Sequence, residues 1–387
     1  MAVLSASAVS QMASDVYIVK SDNLDPKDNP DLKRVLKANR QYFDLGMENK
    51  IEGKSGGLII NKTSGFGIVS QGKGVYSRDA FIILRGTASG YDVLTDLNAG
   101  FSSSVGGNTV HLGFNNTFKT IRPQLERFFD QQKSPITAVH CIGHSLGGAL
   151  ASLAAEWATQ TRRASQVNLY TFGCPRVGME GFVRRFEDRI QGGSIFRVYH
   201  RTDPIPMVPI WPFMHLQDEG IYSIPSPGQF ISPEYHKMAN YINSVGNKSW
   251  EVLEALYDES VEDSVIERWL SSDSFVSLTA NTLRMFGSAI SYVIRKVLKA
   301  AAITIQTVFG AGTTLLDQLA YILNRGLSVA EAVSGWVISL VRKMARALGI
   351  GLREGKNMTL QFIRYVLNSL SNYVRQLVQK SIDFITG

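Results

Sequence analysis

The chain has little of what would make it a metal-scaffolded, disulfide-stapled or membrane-spanning protein. Its 387 residues include two cysteines, Cys141 and Cys174. Two cannot build a disulfide framework, and neither stands in a CxxC or other zinc spacing, so both are expected to be buried reduced thiols. No acidic cluster has the spacing of a calcium loop, and no cofactor or metal is expected. Beyond Ser274 there is no proline, and the longest charge-free run of that region, Ala300 to Leu316, is 17 residues with four threonines and a glutamine. That falls short of the roughly 20 mainly apolar residues that cross a bilayer. The stretch "MAVLSASAVSQMASDVYIV" lacks a basic n-region, so a cleavable Sec-type signal peptide is not expected.

With 44% hydrophobic residues the chain can bury a full core, and its length suits one large domain plus something smaller. The formal net charge of +7 is unevenly spread. From Phe275 to Gly387 there are 13 Lys+Arg against 4 Asp+Glu, whereas residues 1 to 274 hold 27 basic and 29 acidic side chains. The basic character belongs to the tail alone, and with neither aromatic interleaving nor a recognisable motif a nucleic-acid partner is not expected.

Turn residues and apolar periodicity divide the chain. Helices are expected near Ala6 to Val19 and Asp31 to Leu45, the second started by "NPD", forming an N-terminal segment packed on the core over residues 1 to 50. "GFGIVSQG" and "AFIILRG" read as paired strands; "ITAVHCIG", "VNLYTFG" and "SIFRVYH" read as buried strands, with a helix at "GGALASLAAEWATQ". Alternation of strands with helices predicts an α/β core with a largely parallel central sheet over residues 51 to 260. Residues 251 to 267 carry seven carboxylates and read as an acidic exposed helix and connector. Residues 261 to 387 follow as an all-α basic domain of amphipathic helices. In its last helix Ile363, Val366, Leu367, Leu370, Val374, Leu377 and Val378 are expected on one face, and Arg364, Asn368, Ser371 and Arg375 on the other.

The chemistry concentrates in "CIGHSLGGAL". Gly143 and Gly147 flank Ser145 at two residues' distance, the G-x-S-x-G pattern of a strand-turn-helix elbow that lifts a serine clear of its sheet. The bare pattern arises by chance in roughly one chain in eight of this length. Its context, an apolar approach "AVHCI" and the small residues Gly148, Ala149, Ala151, Ala154 and Ala155 after it, makes Ser145 the candidate nucleophile.

An acid and then a histidine should follow the serine in the chain. Asp203 fits, in "RTDPIPMVP" leaving the strand "SIFRVYH", whereas Asp188 lies in the charged helical run "VRRFEDRI". Chain order removes His111, His140, His144 and His200; His144 also neighbours the nucleophile, where its side chain should point away. His215 and His236 remain, and spacing alone does not choose between them.

Five blocks in order, "IILRGT", "VLTDLNAG" with "VHLGF", "GHSLGGAL", "YTFGCPRVG" and "VYHRTDPIPMVP", resemble the class 3 lipase family of α/β-hydrolases over roughly residues 60 to 245. In that family the catalytic histidine opens a late block resembling "YHKMANYI", so the resemblance assigns the base to His236. It likewise implies an oxyanion hole from Thr87 in "RGT" and the backbone N–H of Leu146, and a lid at "ASGYDVLTDLNAG", where this chain has Val93 in place of the tryptophan of many relatives.

The triad sets a reaction class; the substrate must be argued elsewhere. Helices with one basic and one apolar face suit an anionic bilayer surface, each basic residue that reaches it adding about 1 kcal/mol, although such helices also bury their stripes against one another in soluble domains. The whole arrangement is similar to secreted phospholipases A1 of enterobacteria. That likeness implies cleavage of the sn-1 ester of membrane glycerophospholipids, export without a cleaved signal, and a companion or inhibitor protein in the producing cell. A triacylglycerol lipase, a toxin acting through its helical tail, and a non-catalytic binding protein on a decayed hydrolase fold are the rival readings.

Overall fold

The computed structural model describes residues 3–20, 29–44, 49–55, 62–86, 100–190, 193–209, 212–216, 221–256, 263–274, 276–302, 314–351 and 358–386. A central sheet has the strand order β1-β2-β3-β6-β7-β8-β9. Strands β1 (Lys50–Ser55), β2 (Lys62–Gln71) and β3 (Asp79–Leu84) run antiparallel. From β3 onward, β6 (Ala138–His144), β7 (Gln166–Phe172), β8 (Ile195–His200) and β9 (Ser223–Ile224) are parallel. A separate hairpin pairs β4 (Phe101–Ser103) with β5 (Thr109–His111). With the serine elbow between β6 and the helix after it, this is the α/β-hydrolase architecture the sequence led us to expect.

Both faces of the sheet are covered, which is why its strands read as continuous apolar runs. Side chains alternate between the covers: Ile82 and Leu84 of β3 join one core, Phe81 and Ile83 the other. The first core packs under α3 (Leu112–Asp130) and α4 (Leu146–Gln160). The second packs under α1 (Ala6–Asp15), α6 (Met238–Val245) and α7 (Trp250–Glu254). Helices α2 (Pro30–Asn39) and α5 (Glu180–Arg189) complete the portion built around the sheet. The helix expected from Ala6 to Val19 ends at Asp15 and tightens into a 3₁₀ turn, Val16–Lys20, which carries Tyr17 toward the sheet's carboxyl edge. Asn29 caps α2 by accepting from the Leu32 amide. Cys141 and Cys174 are both buried thiols.

The expected domain boundary near residue 260 lies outside the described residues. Beyond it come α8 (Asp263–Ser271), α9 (Ala280–Ala300), α10 (Leu315–Gly326), α11 (Glu331–Ala347) and α12 (Leu360–Thr386). Thr279 caps α9, and Thr314 with Asp317 forms a reciprocal capping box on α10. The apolar stripes of α9 to α12 bury each other and continue without a break into the first core. Helix α9 packs on the turn Ile205–Met207, and α12 on the segment Pro233–His236. Seating α9 further, the Ala280 amide donates to the Gln229 carbonyl at 2.8 Å. One side chain departs from the sequence reading: Ser371 is 3% exposed. It lies four residues after Leu367 and three before Val374, so helical geometry turns it inward with them. Among the described residues no helix is long and apolar enough to cross a membrane.

Candidate active site

The elbow is held by close backbone approach. A Cβ on Gly143 would lie 2.2 Å from the Gly147 carbonyl oxygen, and one on Gly147 would lie 2.2 Å from that of Leu84, so neither position admits a side chain. Between them Ser145 takes φ 59° and ψ −131°, a region L-residues rarely occupy and that costs on the order of 1–3 kcal/mol. Its amide donates to the Phe172 carbonyl at 3.0 Å, locking the turn to β7. Leu146 begins α4, where an N–H has no intrahelical acceptor and stays available to an anion.

Residues from three loops converge here. Gly173, just after Phe172, has φ +56°, and a Cβ on it would meet Asp203 Oδ2 at 2.7 Å and His236 Nδ1 at 2.8 Å. His236 Nδ1 donates to Asp203 Oδ2 at 2.7 Å, and both side chains are fully buried. A proton fixed on Nδ1 leaves Nε2 of the neutral ring with a bare lone pair. That Nε2 is buried and has no hydrogen-bond partner among the described residues. Asp203 is held further by the Ile205 amide at 2.9 Å and the Tyr241 hydroxyl at 2.6 Å. Burial and the Asp203 charge push the Tyr241 phenol well above its usual value, so it stays a donor. The structure therefore brings His236 to Asp203 and not His215, which donates from Nε2 to the Pro206 carbonyl at 2.7 Å.

A second set of contacts ties the elbow to the strand beside it. His144 Nε2 donates to the His236 carbonyl at 2.8 Å, which leaves its Nδ1 to accept the Tyr17 hydroxyl at 2.7 Å. The Tyr17 oxygen in turn accepts the Gly86 amide at 3.1 Å. Arg85 grips the same residue through its carbonyl, donating to the Gly86 oxygen at 2.8 Å and to that of Gly65 at 2.6 Å. Gly86 stands so close to the nucleophile that its Cβ would meet Ser145 Cβ at 2.9 Å. Burial, with the neighbouring His236 adding to it, holds the His144 imidazole well below its usual pKa, in agreement with the neutral tautomer these bonds require. Through the first of these bonds His144 braces the backbone of His236. Thr87, the expected oxyanion donor, and the expected lid segment with Val93 lie outside the described residues.

Residues 81–213 match the family described as Lipase (class 3). This segment is a class 3 lipase domain. Its elbow serine and aspartate fall inside the match, and His236 lies beyond it. The lipase domain is similar to Secreted mono- and diacylglycerol lipase 2 of Gibberella zeae, 36% identical over 26% of this chain and 28% of that protein. It is similar also to Phospholipase A1-II 4 of Oryza sativa subsp. japonica, 28% identical over 46% of this chain and 49% of that one. Toxin TseL of Vibrio cholerae is 32% identical over 31% of this chain and 18% of the toxin. The chain thus spans less than half the length of each of these relatives.

Proposed function

We propose that the protein is a serine ester hydrolase acting on membrane glycerophospholipids, with Ser145 as nucleophile, His236 as base and Asp203 as its partner. The observation that carries this is the His236–Asp203 pair, with its proton fixed on Nδ1 and a bare Nε2, beside a strained serine elbow. Ser145 Oγ attacks the ester carbonyl, His236 Nε2 takes its proton and returns it to the leaving alcohol, and Asp203 stabilises the imidazolium. The Leu146 N–H, with Thr87, receives the oxyanion. Water then hydrolyses the acyl-enzyme.

Support for a phospholipid comes from the tail, whose 13 Lys+Arg outnumber 4 Asp+Glu, and from the relative named a phospholipase A1. The apolar stripes of those helices are already covered, so the membrane surface is met by exposed basic side chains on their outer faces, such as Lys299, Arg325, Arg342 and Lys380. We assign release of the sn-1 chain, action outside the producing cell, and restraint inside it by a companion protein. A diacylglycerol or triacylglycerol substrate is the second reading, favoured by the likeness to a secreted acylglycerol lipase. Product analysis on a phospholipid with different chains at sn-1 and sn-2, run beside a diacylglycerol emulsion, separates them: preferred sn-2 release or a clear acylglycerol preference overturns the assignment. Lysis of phospholipid vesicles by Ser145→Ala at the wild-type rate would remove the enzyme reading itself.

A further inference from the structure

The loop between β9 and the turn that carries His236 leaves a large apolar side chain outside. Residues 221–233 hold no charged side chain, and three of them are prolines, Pro225, Pro227 and Pro233. Within this run Phe230 is 66% exposed and joins neither core, the one exposed phenylalanine among the described residues. Pro225, Pro227, Gly228 and Gln229 are exposed beside it. Single exposed apolar side chains are common on protein surfaces, so exposure alone assigns nothing. Phe230 is set apart by how it is held and where.

Thr202 closes the loop at both ends, donating its amide to the Ser226 hydroxyl at 3.4 Å and accepting the Ser232 amide on its carbonyl at 3.0 Å. Between these ties the Gln229 carbonyl accepts the Ala280 amide at the start of α9, at 2.8 Å, and Ile231 packs against the first core. Gly228 supplies the turn, with φ +82°. The ring is therefore displayed on a segment whose backbone is already fixed, and docking it requires little further ordering. Its place matters as much. Thr202 adjoins Asp203, and the loop runs on into Pro233–His236, so Phe230 is carried between the acid and the base. Helix α9 begins against this loop and still leaves the ring uncovered. A charged protein surface would find no counter-charge along these thirteen residues. The glycerol and acyl region of a lipid layer needs none, and an ion carried into it would oppose entry. A phenylalanine on a charge-free, proline-stiffened loop suits that region.

We infer that Phe230 is an interfacial anchor: when the protein meets a phospholipid bilayer, this ring enters the acyl region and holds the loops that carry Asp203 and His236 at the surface. That the bilayer also supplies the substrate rests on the proposed reaction; insertion of the ring does not. The test begins with Ser145→Ala, so that binding is read without turnover, by co-sedimentation with vesicles of equimolar phosphatidylcholine and phosphatidylglycerol. Adding Phe230→Ser should weaken partition about ten-fold at an unchanged melting temperature. Phe230→Leu, which keeps an apolar side chain, should stay within about three-fold of the parent. With Ser145 restored, Phe230→Ser should hydrolyse the soluble ester p-nitrophenyl butyrate at the wild-type rate, and on vesicles should need about ten-fold more lipid to reach half its maximal rate. Absence of vesicle binding by the parent, partition of Phe230→Ser equal to the parent's, or an equal loss in Phe230→Leu would overturn the anchor. So would a parallel loss of soluble-ester turnover, which would make the ring part of the site rather than of its contact with lipid. Failure of phospholipid hydrolysis with this binding pattern intact would sink only the proposed reaction.

Discussion

Tyr17 is where the N-terminal segment reaches the chemistry, and Tyr17→Phe isolates what it does. The substitution keeps the ring and deletes one oxygen, which accepts the Gly86 amide at 3.1 Å and donates to His144 Nδ1 at 2.7 Å. Each neutral hydrogen bond contributes about 1 kcal/mol net, and a buried acceptor left without a donor costs about 1–3 kcal/mol more. His144 is fully buried, so the larger part of that penalty applies to its Nδ1, while the part-buried Gly86 amide can turn to water. The loss should therefore be about 2–4 kcal/mol, or roughly 2–5 °C in melting temperature for a protein of this size. Activity adds a sharper readout. Gly86 stands against Ser145 and precedes Thr87, so freeing its peptide should lower kcat per folded molecule about ten-fold with KM little changed. Scanning calorimetry and initial rates on one lipid substrate measure both. A variant within about 0.5 kcal/mol of the wild type, or one that loses stability with kcat intact, would refute the positioning role.

Ser145→Gly should abolish hydrolysis while raising stability by about 1 kcal/mol, because glycine adopts φ 59° freely; chemical denaturation that gives a lower midpoint would contradict the strain at the elbow. Tyr241→Phe removes one donor from the Asp203 carboxylate and loosens the seat of its partner histidine; kcat should fall several-fold with KM little changed, and an unchanged kcat would count against the contact at 2.6 Å. Glu156 is held by the Ser104 hydroxyl and the Asn108 amide, yet burial raises its pKa above the usual 4.5. Below 4.5 both folded and unfolded forms are protonated and burial costs no charge; as pH rises toward the folded value the unfolded state ionises first and stability falls. Melting curves of Glu156→Gln should therefore gain on the wild type between pH 4 and pH 8, and a shrinking difference would reverse that sign.

The strands, the elbow and Asp203 were legible because each is written in local terms: an apolar run, a glycine two residues to either side of a serine, a proline-rich exit from a strand. His236 needed the family resemblance, since spacing left His215 equal to it, and only geometry separates a ring that reaches Asp203 from one that reaches the Pro206 carbonyl. Tyr17 was not legible at all. It lies 127 residues from His144 in the chain, and nothing near it in the sequence distinguishes a bridging phenol from an ordinary half-buried one. Tyr241 was closer to hand, five residues after His236 in "HKMANYI", at a spacing that turns it back toward Asp203. For the tail, the periodicity of α9 to α12 gave the apolar stripes but not their cover, which is the catalytic portion itself and their neighbours. Ser371 was misplaced because residue polarity was weighed above its helical position.

The packing of α12 on Pro233–His236 puts more than a hundred residues between the proposed base and the surface that backs it. A ribosome that has released residue 245 has already made the serine, aspartate and histidine, yet the segment bearing His236 still lacks its buttress. That segment gains its full backing only once α12 has been made. A fragment cut short before α12 should therefore leave His236 poorly seated against Asp203.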